Sequence, residues 1–298
     1  VNLRKQCTSD LLLPLHVFWE INDQPFAEIE NYKDTKFIFR YIIDHNIPQF
    51  DLKTSIRNAL IRLHKLSGKT LAICVGGADS EIIARESAYL GLPAEIYFLS
   101  MWGINKASLS KVEDLSKELG YKLNVITLSR EEAFESVIPT NFSKLQAEKP
   151  TYLCLPFLFG QIPPEMFIVG GEGDPQKSGR DYEWLANDTG LYNGLPISIT
   201  EIWYRQWAIT NNRDCEMYFY SSTQELIKSY FYHPLIEKKN KCINTRGLID
   251  TLWPGLKFSY KTTNWEDEVK ENYDIRMYVR QISDGKYKYL PNVCLAEI

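Results

Sequence analysis

The sequence predicts an α/β protein built on a parallel sheet. Three observations carry that expectation. Apolar runs at 70–75, 94–99 and 123–128 alternate with stretches of helical spacing at 79–90 and 105–119. Gly91 and Gly120 close those two helical stretches, and Ser129 opens a third with Glu131 and Glu132 in its first turn. The connections are short, which calls for parallel strands joined by right-handed crossovers.

In chain order, 11–20 and 36–43 are rich in aromatic and β-branched residues, with Asn22, Asp23 and Pro25 punctuating the gap. They read as two strands of a hairpin. Residues 52–66 place Ile56, Leu60, Leu63 and Leu66 at helical intervals, and Gly68 ends the pattern. After the βαβαβ run, Pro163-Pro164 introduces a short apolar strand at 167–169. From 199 onward the chain reads as helical, at 199–210, 215–232 and 246–252. Trp203, Trp207, Tyr218, Phe219, Leu226 and Ile227 recur there at helical intervals, the pattern of a packed core.

Composition narrows the function classes. The 298 residues are 44% hydrophobic with net charge −4, enough for a large core and without the basic footprint of a dedicated nucleic-acid binder. Six cysteines (Cys7, Cys74, Cys154, Cys215, Cys242 and Cys294) are scattered with no C-x-x-C pair, which suits free thiols in a reducing cytoplasm. No apolar run approaches a membrane span, and residues 1–10 are too polar for a signal peptide. His16, His45, His64 and His233 form no zinc pair or local triad, and no G-x-S-x-G elbow is present.

Chemistry concentrates in Ala72-Ile73-Cys74-Val75-Gly76-Gly77-Ala78-Asp79-Ser80. An apolar strand ends in two glycines, an acid and a hydroxyl, and a helix follows. Backbone N–H groups in such a turn, with the positive end of the helix, suit a phosphate. Glu81 follows Ser80 with no lysine near, so this is not a Walker A loop, and a dinucleotide fingerprint needs three glycines at G-x-G-x-x-G spacing where only an adjacent pair stands. A second segment, Phe167-Ile168-Val169-Gly170-Gly171-Glu172-Gly173-Asp174, ends another strand in glycines and acids. A carboxylate there would repel phosphate unless Mg²⁺ lies between them.

The first segment resembles the S-G-G-x-D-S loop of the PP-loop ATP pyrophosphatases, matching it at Gly76, Gly77, Asp79 and Ser80. The second resembles the S-G-E-G-S-D-E stretch of asparagine synthetase and β-lactam synthetase. Tyr232-His233-Pro234-Leu235-Ile236 and Leu252-Trp253-Pro254-Gly255-Leu256-Lys257 resemble later segments of that family, so the likeness spans roughly 52–265. It implies a Rossmann-like PP-loop domain of the HUP type, with a nucleotide-binding core (52–190) and a helical part completing the substrate pocket (191–298), to which the apolar runs before it add an N-terminal β extension (1–51).

The resemblance further implies ATP and Mg²⁺ as cofactors and adenylation of a small-molecule or macromolecular acceptor, with pyrophosphate released and an amine attacking next. Val75, Gly76, Gly77, Ala78, Asp79 and Ser80 would hold phosphates, with Gly170 and Gly171 beside them. Leu99, Ser100 and Met101 would meet adenine through their backbone, and Asp79, Glu172 and Asp174 would hold the metal. Lys177, Arg180, Lys257 and Lys261 are candidates for stabilising charge in the second step.

Three departures matter. Val75 replaces the first serine, which removes a hydrogen bond to a charged group of about 1.5–3 kcal/mol. Pro175 and Gln176 stand where the family has an aspartate and a glutamate. About fifty residues precede the family-like part, too few for a glutaminase domain, which implies a free amine or ammonia as donor. Asp79 as a first-turn helix acid and Glu172 as a solvated turn residue remain open beside the catalytic reading. So does a protein that binds an adenine nucleotide and has lost the reaction.

Overall fold

In a computed structural model the described residues are 46–102, 105–145, 150–171, 210–231 and 245–258, with shorter pieces at 17–21, 37–41, 185–186, 192–193, 204, 207–208 and 233. Strands β1 (Val17–Ile21) and β2 (Phe37–Tyr41) pair antiparallel with Val17 opposite Tyr41, the expected hairpin pairing. Helix α1 (Leu52–Ser67) starts where the Asp51 carboxylate accepts the Thr54 N–H at 3.0 Å. It ends at Gly68, whose φ of 63° is the left-handed stop that glycine supplies without strain. Leu52, Ile56, Ala59, Leu60 and Leu63 form its buried stripe.

Next come β3 (Leu71–Cys74), α2 (Ala78–Tyr89), β4 (Ala94–Met101), α3 (Lys106–Leu119) and β5 (Leu123–Leu128), each within two residues of its expected bounds. Ser129 Oγ accepts the Glu132 N–H at 3.1 Å and caps α4 (Arg130–Glu132), as its place before two acids suggested. A π-helical turn, Ala133–Val137, leads into α5 (Ile138–Leu145). Then follow α6 (Pro150–Gln161), β6 (Phe167–Val169) and a short antiparallel pair, β7 (Leu185–Ala186) with β8 (Tyr192–Asn193). The described chain closes with β9 (Cys215–Glu216), a 3₁₀ turn at Phe219–Ser221, α7 (Gln224–Phe231) and α8 (Thr245–Leu252).

Two elements differ from expectation. Residues 215–232 are not one helix: Cys215–Glu216 is the fifth strand of the sheet and the helix begins only at Gln224. Short apolar runs carry no decisive period, and pairing with β6 decides this one. Helix α6 has no counterpart in the sequence reading, because it is apolar on all sides and so lacks the one-sided stripe that reveals a surface helix. The helix expected at 199–210 lies largely outside the described residues, although Tyr204, Trp207 and Ala208 are helical.

The sheet order is β5-β4-β3-β6-β9, and every neighbouring pair is parallel. The chain winds outward from β3 to β5, returns across β3, and winds the other way through β6 to β9. Alternation along β3 feeds two cores. Leu71, Ile73 and Val75 pack with α1, α2 and α3, while Ala72 and Cys74 pack with α6 and the Tyr204 region. Both faces of the sheet are covered, as a parallel sheet requires. Among the described residues no helix is long and apolar enough to cross a membrane.

Candidate functional site

In open α/β sheets the crevice forms outside the carboxyl ends of the strands where the winding reverses. Here that point lies between β3 and β6, whose carboxyl ends carry the two glycine segments. The Val75 N–H donates to Tyr97 O at 2.9 Å, and the Val75 side chain is buried in the core with α1 and α2. Its main chain therefore reaches the loop while its side chain serves packing.

Beyond Val75 the chain leaves the sheet. Gly77 is extended (φ −160°, ψ −179°), a conformation open to any residue. Among the described residues a Cβ on either Gly76 or Gly77 would meet nothing within 4 Å, and neither has a left-handed φ. No described residue thus requires glycine at these two positions, and what they leave among the described residues is space over the turn. Gly76 N–H and Gly77 N–H donate to Ser80 Oγ at 3.1 and 3.2 Å, and that hydroxyl donates to Gly77 O at 3.0 Å. Ser80 is buried and closes the turn on itself. The first intrahelical bond of α2 runs from Glu81 N–H to Gly77 O, so the amides of Ala78, Asp79 and Ser80 precede it at the positive end of the helix. Asp79 lies in that first turn with a half-buried side chain, and its carbonyl accepts the Tyr220 hydroxyl at 2.9 Å.

The second glycine pair behaves differently. Gly170 donates its N–H to Glu216 O at 3.0 Å, and a Cβ there would run into the Met217 side chain. A Cβ on Gly171 would lie 2.5 Å from Ser80 N, 2.8 Å from the Asp79 carbonyl carbon and 2.9 Å from Ser80 Cα. Glycine is obligatory at 171 because β6 and the first turn of α2 touch backbone to backbone. The structure therefore brings both glycine segments into direct contact. Glu172, Asp174 and Lys177, with Pro175, Gln176, Arg180 and Lys261, lie outside the described residues.

Leu99, Ser100 and Met101 end β4 and pair with Ile126, Thr127 and Leu128 of β5. On the other side, beyond the end of β3, the Asn105 carboxamide accepts the Met101 N–H at 2.9 Å and donates to Leu99 O at 2.6 Å. Trp102 follows with φ of 32°, uncommon for a non-glycine residue, and packs against Phe134 of the π-helical turn with ring centroids 5.7 Å apart.

The sequence reading missed a pair of buried carboxylates on α2 that brace the loop helix. Glu81 is fully buried and accepts the N–H groups of Lys257 and Phe258 at 2.9 and 2.8 Å and the Arg85 guanidinium at 2.8 Å. Glu86 accepts Arg57 Nε at 2.6 Å and the Trp253 indole N–H at 2.8 Å. Together they dock the Trp253–Phe258 segment onto α2. An acid just after the glycine turn and another one turn on were the available signal, but nothing local shows what they face.

Lys257 is held by this network. Its ammonium pairs with Glu118 on α3 at 3.3 Å, and Arg85 also binds that carboxylate. Arg85 first, then Lys257, holds the Glu118 carboxyl below its usual range. Among the described residues no group of three or more His, Cys, Asp or Glu could hold a metal ion. Of the expected metal set only Asp79 is described. A Mg²⁺ site that borrows phosphate oxygens needs only one or two carboxylates, which Asp79 fits.

No protein-family profile matches the chain, and no curated protein matches it. Among solved structures, NMN synthetase from Francisella tularensis is similar at 13% identity and a TM-score of 0.33, over 76% of this chain and 95% of that one. The NH3-dependent NAD synthetase of Campylobacter jejuni, determined with a nitrate ion, is similar at 14% identity and a TM-score of 0.34, over 81% of this chain and 96% of that one. The fold assignment rests on the strand order and pairing described above.

Proposed function

We propose that the chain binds ATP at the β3–β6 crevice and transfers its adenylyl group to an acceptor, releasing pyrophosphate, with an amine then displacing AMP. One observation carries the reading: Gly76 and Gly77 leave a space that no described residue fills, at the switch point and over the start of α2. In this proposal the main chain of Gly76, Gly77, Ala78 and Ser80 faces the phosphates, while the Val75 N–H stays with Tyr97 O and its side chain with the core. Gly170 and Gly171 let β6 approach, and Asp79, with Glu172 and Asp174, takes Mg²⁺. The metal supplies neutralisation of phosphate charge. An acceptor oxygen forms a bond to the α-phosphorus as the bond to the bridging oxygen of pyrophosphate breaks, a step served by position and electrostatics. Lys177 remains the candidate cation. Lys257, whose ammonium pairs with the partly exposed Glu118 carboxylate at 3.3 Å, is the second candidate.

The second reading, a binder without the reaction, is favoured by Ser80 Oγ, which already engages the amides of Gly76 and Gly77. Calorimetric titration with Mg·ATP beside Asp79→Ala separates the cases. Saturable binding lost in a variant of unchanged melting temperature supports the site. Pyrophosphate release that depends on an added carboxylate or amine acceptor supports the enzyme, and binding without release supports the binder. If ATP, AMP and pyrophosphate all fail to bind, both readings are wrong.

A further inference from the structure

The backbone of β4 has a simple parity. Ile96 N–H donates to Lys122 O and Trp102 N–H to Leu128 O, so even-numbered residues turn their backbone groups toward β5. Tyr97 O faces the other way and accepts the Val75 N–H. Leu99 and Met101 share the parity of Tyr97, so the Leu99 carbonyl and the Met101 N–H point to the side where β3 has already stopped. They form a donor–acceptor edge beside Val75 and Gly76.

The Asn105 carboxamide fills that edge, accepting from Met101 at 2.9 Å and donating to Leu99 at 2.6 Å. Asn105 is the N-cap of α3, where an asparagine side chain ordinarily caps the helix, yet it makes no cap bond. A primary carboxamide presents an acceptor and an N–H donor side by side. The N1/N6 edge of adenine presents the same pair.

We infer that the Asn105 carboxamide is a built-in stand-in for the adenine edge, and that it must leave Leu99 and Met101 for an adenine nucleotide to bind. This rests on the ATP reading above and adds a self-competition to it. When displaced, Asn105 regains the cap position at the start of α3, which offsets part of what it gives up. Wild-type affinity for adenine compounds is lowered by the population in which the edge is occupied.

The test uses the full chain and two variants, Asn105→Ala and Asn105→Ser. Serine keeps a good N-cap for α3 but is too short to reach the edge. Calorimetry with ATP, adenosine and pyrophosphate gives three arms. The expected result is roughly tenfold tighter binding of ATP and adenosine by both variants, the equilibrium worth of one or two net hydrogen bonds, with pyrophosphate unchanged. Equal tightening of pyrophosphate overturns the inference, since the effect would then not pass through the base. Unchanged or weaker adenosine and ATP binding, with saturable binding by the wild type, overturns it and leaves the phosphate site standing. If no form binds ATP, the inference and the ATP reading fall together.

Discussion

Replacing Gly171 by alanine adds one methyl group where two backbones touch. The new Cβ would stand 2.5 Å from Ser80 N and below 3.0 Å from two further backbone atoms, whereas ordinary contact begins near 3.4 Å. Neither side is a side-chain tip that could rotate away. Either β6 or the first turn of α2 must retreat by close to 1 Å. Overpacking of this kind costs about 1–3 kcal/mol. For a chain of this size that is a fall in Tm on the order of 5 °C. The same displacement moves Asp79 and Ser80, so on the function proposed above Mg·ATP binding should weaken as well. Gly76→Ala is the matched contrast. Its Cβ meets nothing within 4 Å among the described residues, so stability should hold or rise by about 0.4–1 kcal/mol through the unfolded chain, while the methyl group would intrude on the proposed phosphate space. Thermal melts and Mg·ATP titrations of both variants read the two effects separately. A Gly171→Ala protein that melts and binds like the wild type would refute the backbone-contact reasoning.

Glu81→Gln leaves Arg85 without its buried carboxylate and turns an amide toward the N–H groups of Lys257 and Phe258. A loss of about 3 kcal/mol or more is expected in denaturant unfolding. Glu118→Gln removes the 44%-exposed partner of the same arginine and should cost less than about 1 kcal/mol, so equal losses would contradict the burial argument. Tyr220→Phe deletes the hydroxyl that donates to Asp79 O. It should lower stability by about 1 kcal/mol, and an unchanged unfolding midpoint would show that bond to be without net worth. Burial pushes the Cys74 and Cys154 thiols up to about 12 from 9.0, and the Tyr97 and Tyr121 hydroxyls up to about 12 from 10.0. The unfolded chain then releases these protons first. Their contribution is full below pH 9.0 and is lost as pH rises toward about 12. Unfolding midpoints that stay level across that interval would count against the burial of these groups.

Much of the fold was legible because it is written in short-range patterns. The apolar runs, the helical spacing of α1 and α3 and the stops at Gly68, Gly91 and Gly120 each depend on neighbours a few residues away. The loop at 75–80 was legible for the same reason, since a strand, a turn and a helix start are adjacent in the chain. Elements without a local period were not. Helix α6 is apolar all round, and Cys215–Glu216 becomes a strand only because β6 offers an edge.

The same division runs through the site. The amino-acid sequence alone determined that glycines, an acid and a hydroxyl follow a buried strand. Only the tertiary structure decided what surrounds each glycine: no described residue lies within reach of a Cβ on Gly76 or Gly77, and Gly171 lies against the backbone of Asp79 and Ser80. Only the tertiary structure decided that Glu81 and Glu86 face the Trp253–Phe258 segment and that Asn105 turns back onto β4. The physical reason is distance along the chain. Periodicity and capping are settled within one turn, but close approach, buried charge pairing and strand order depend on partners that meet only once the sheet has formed.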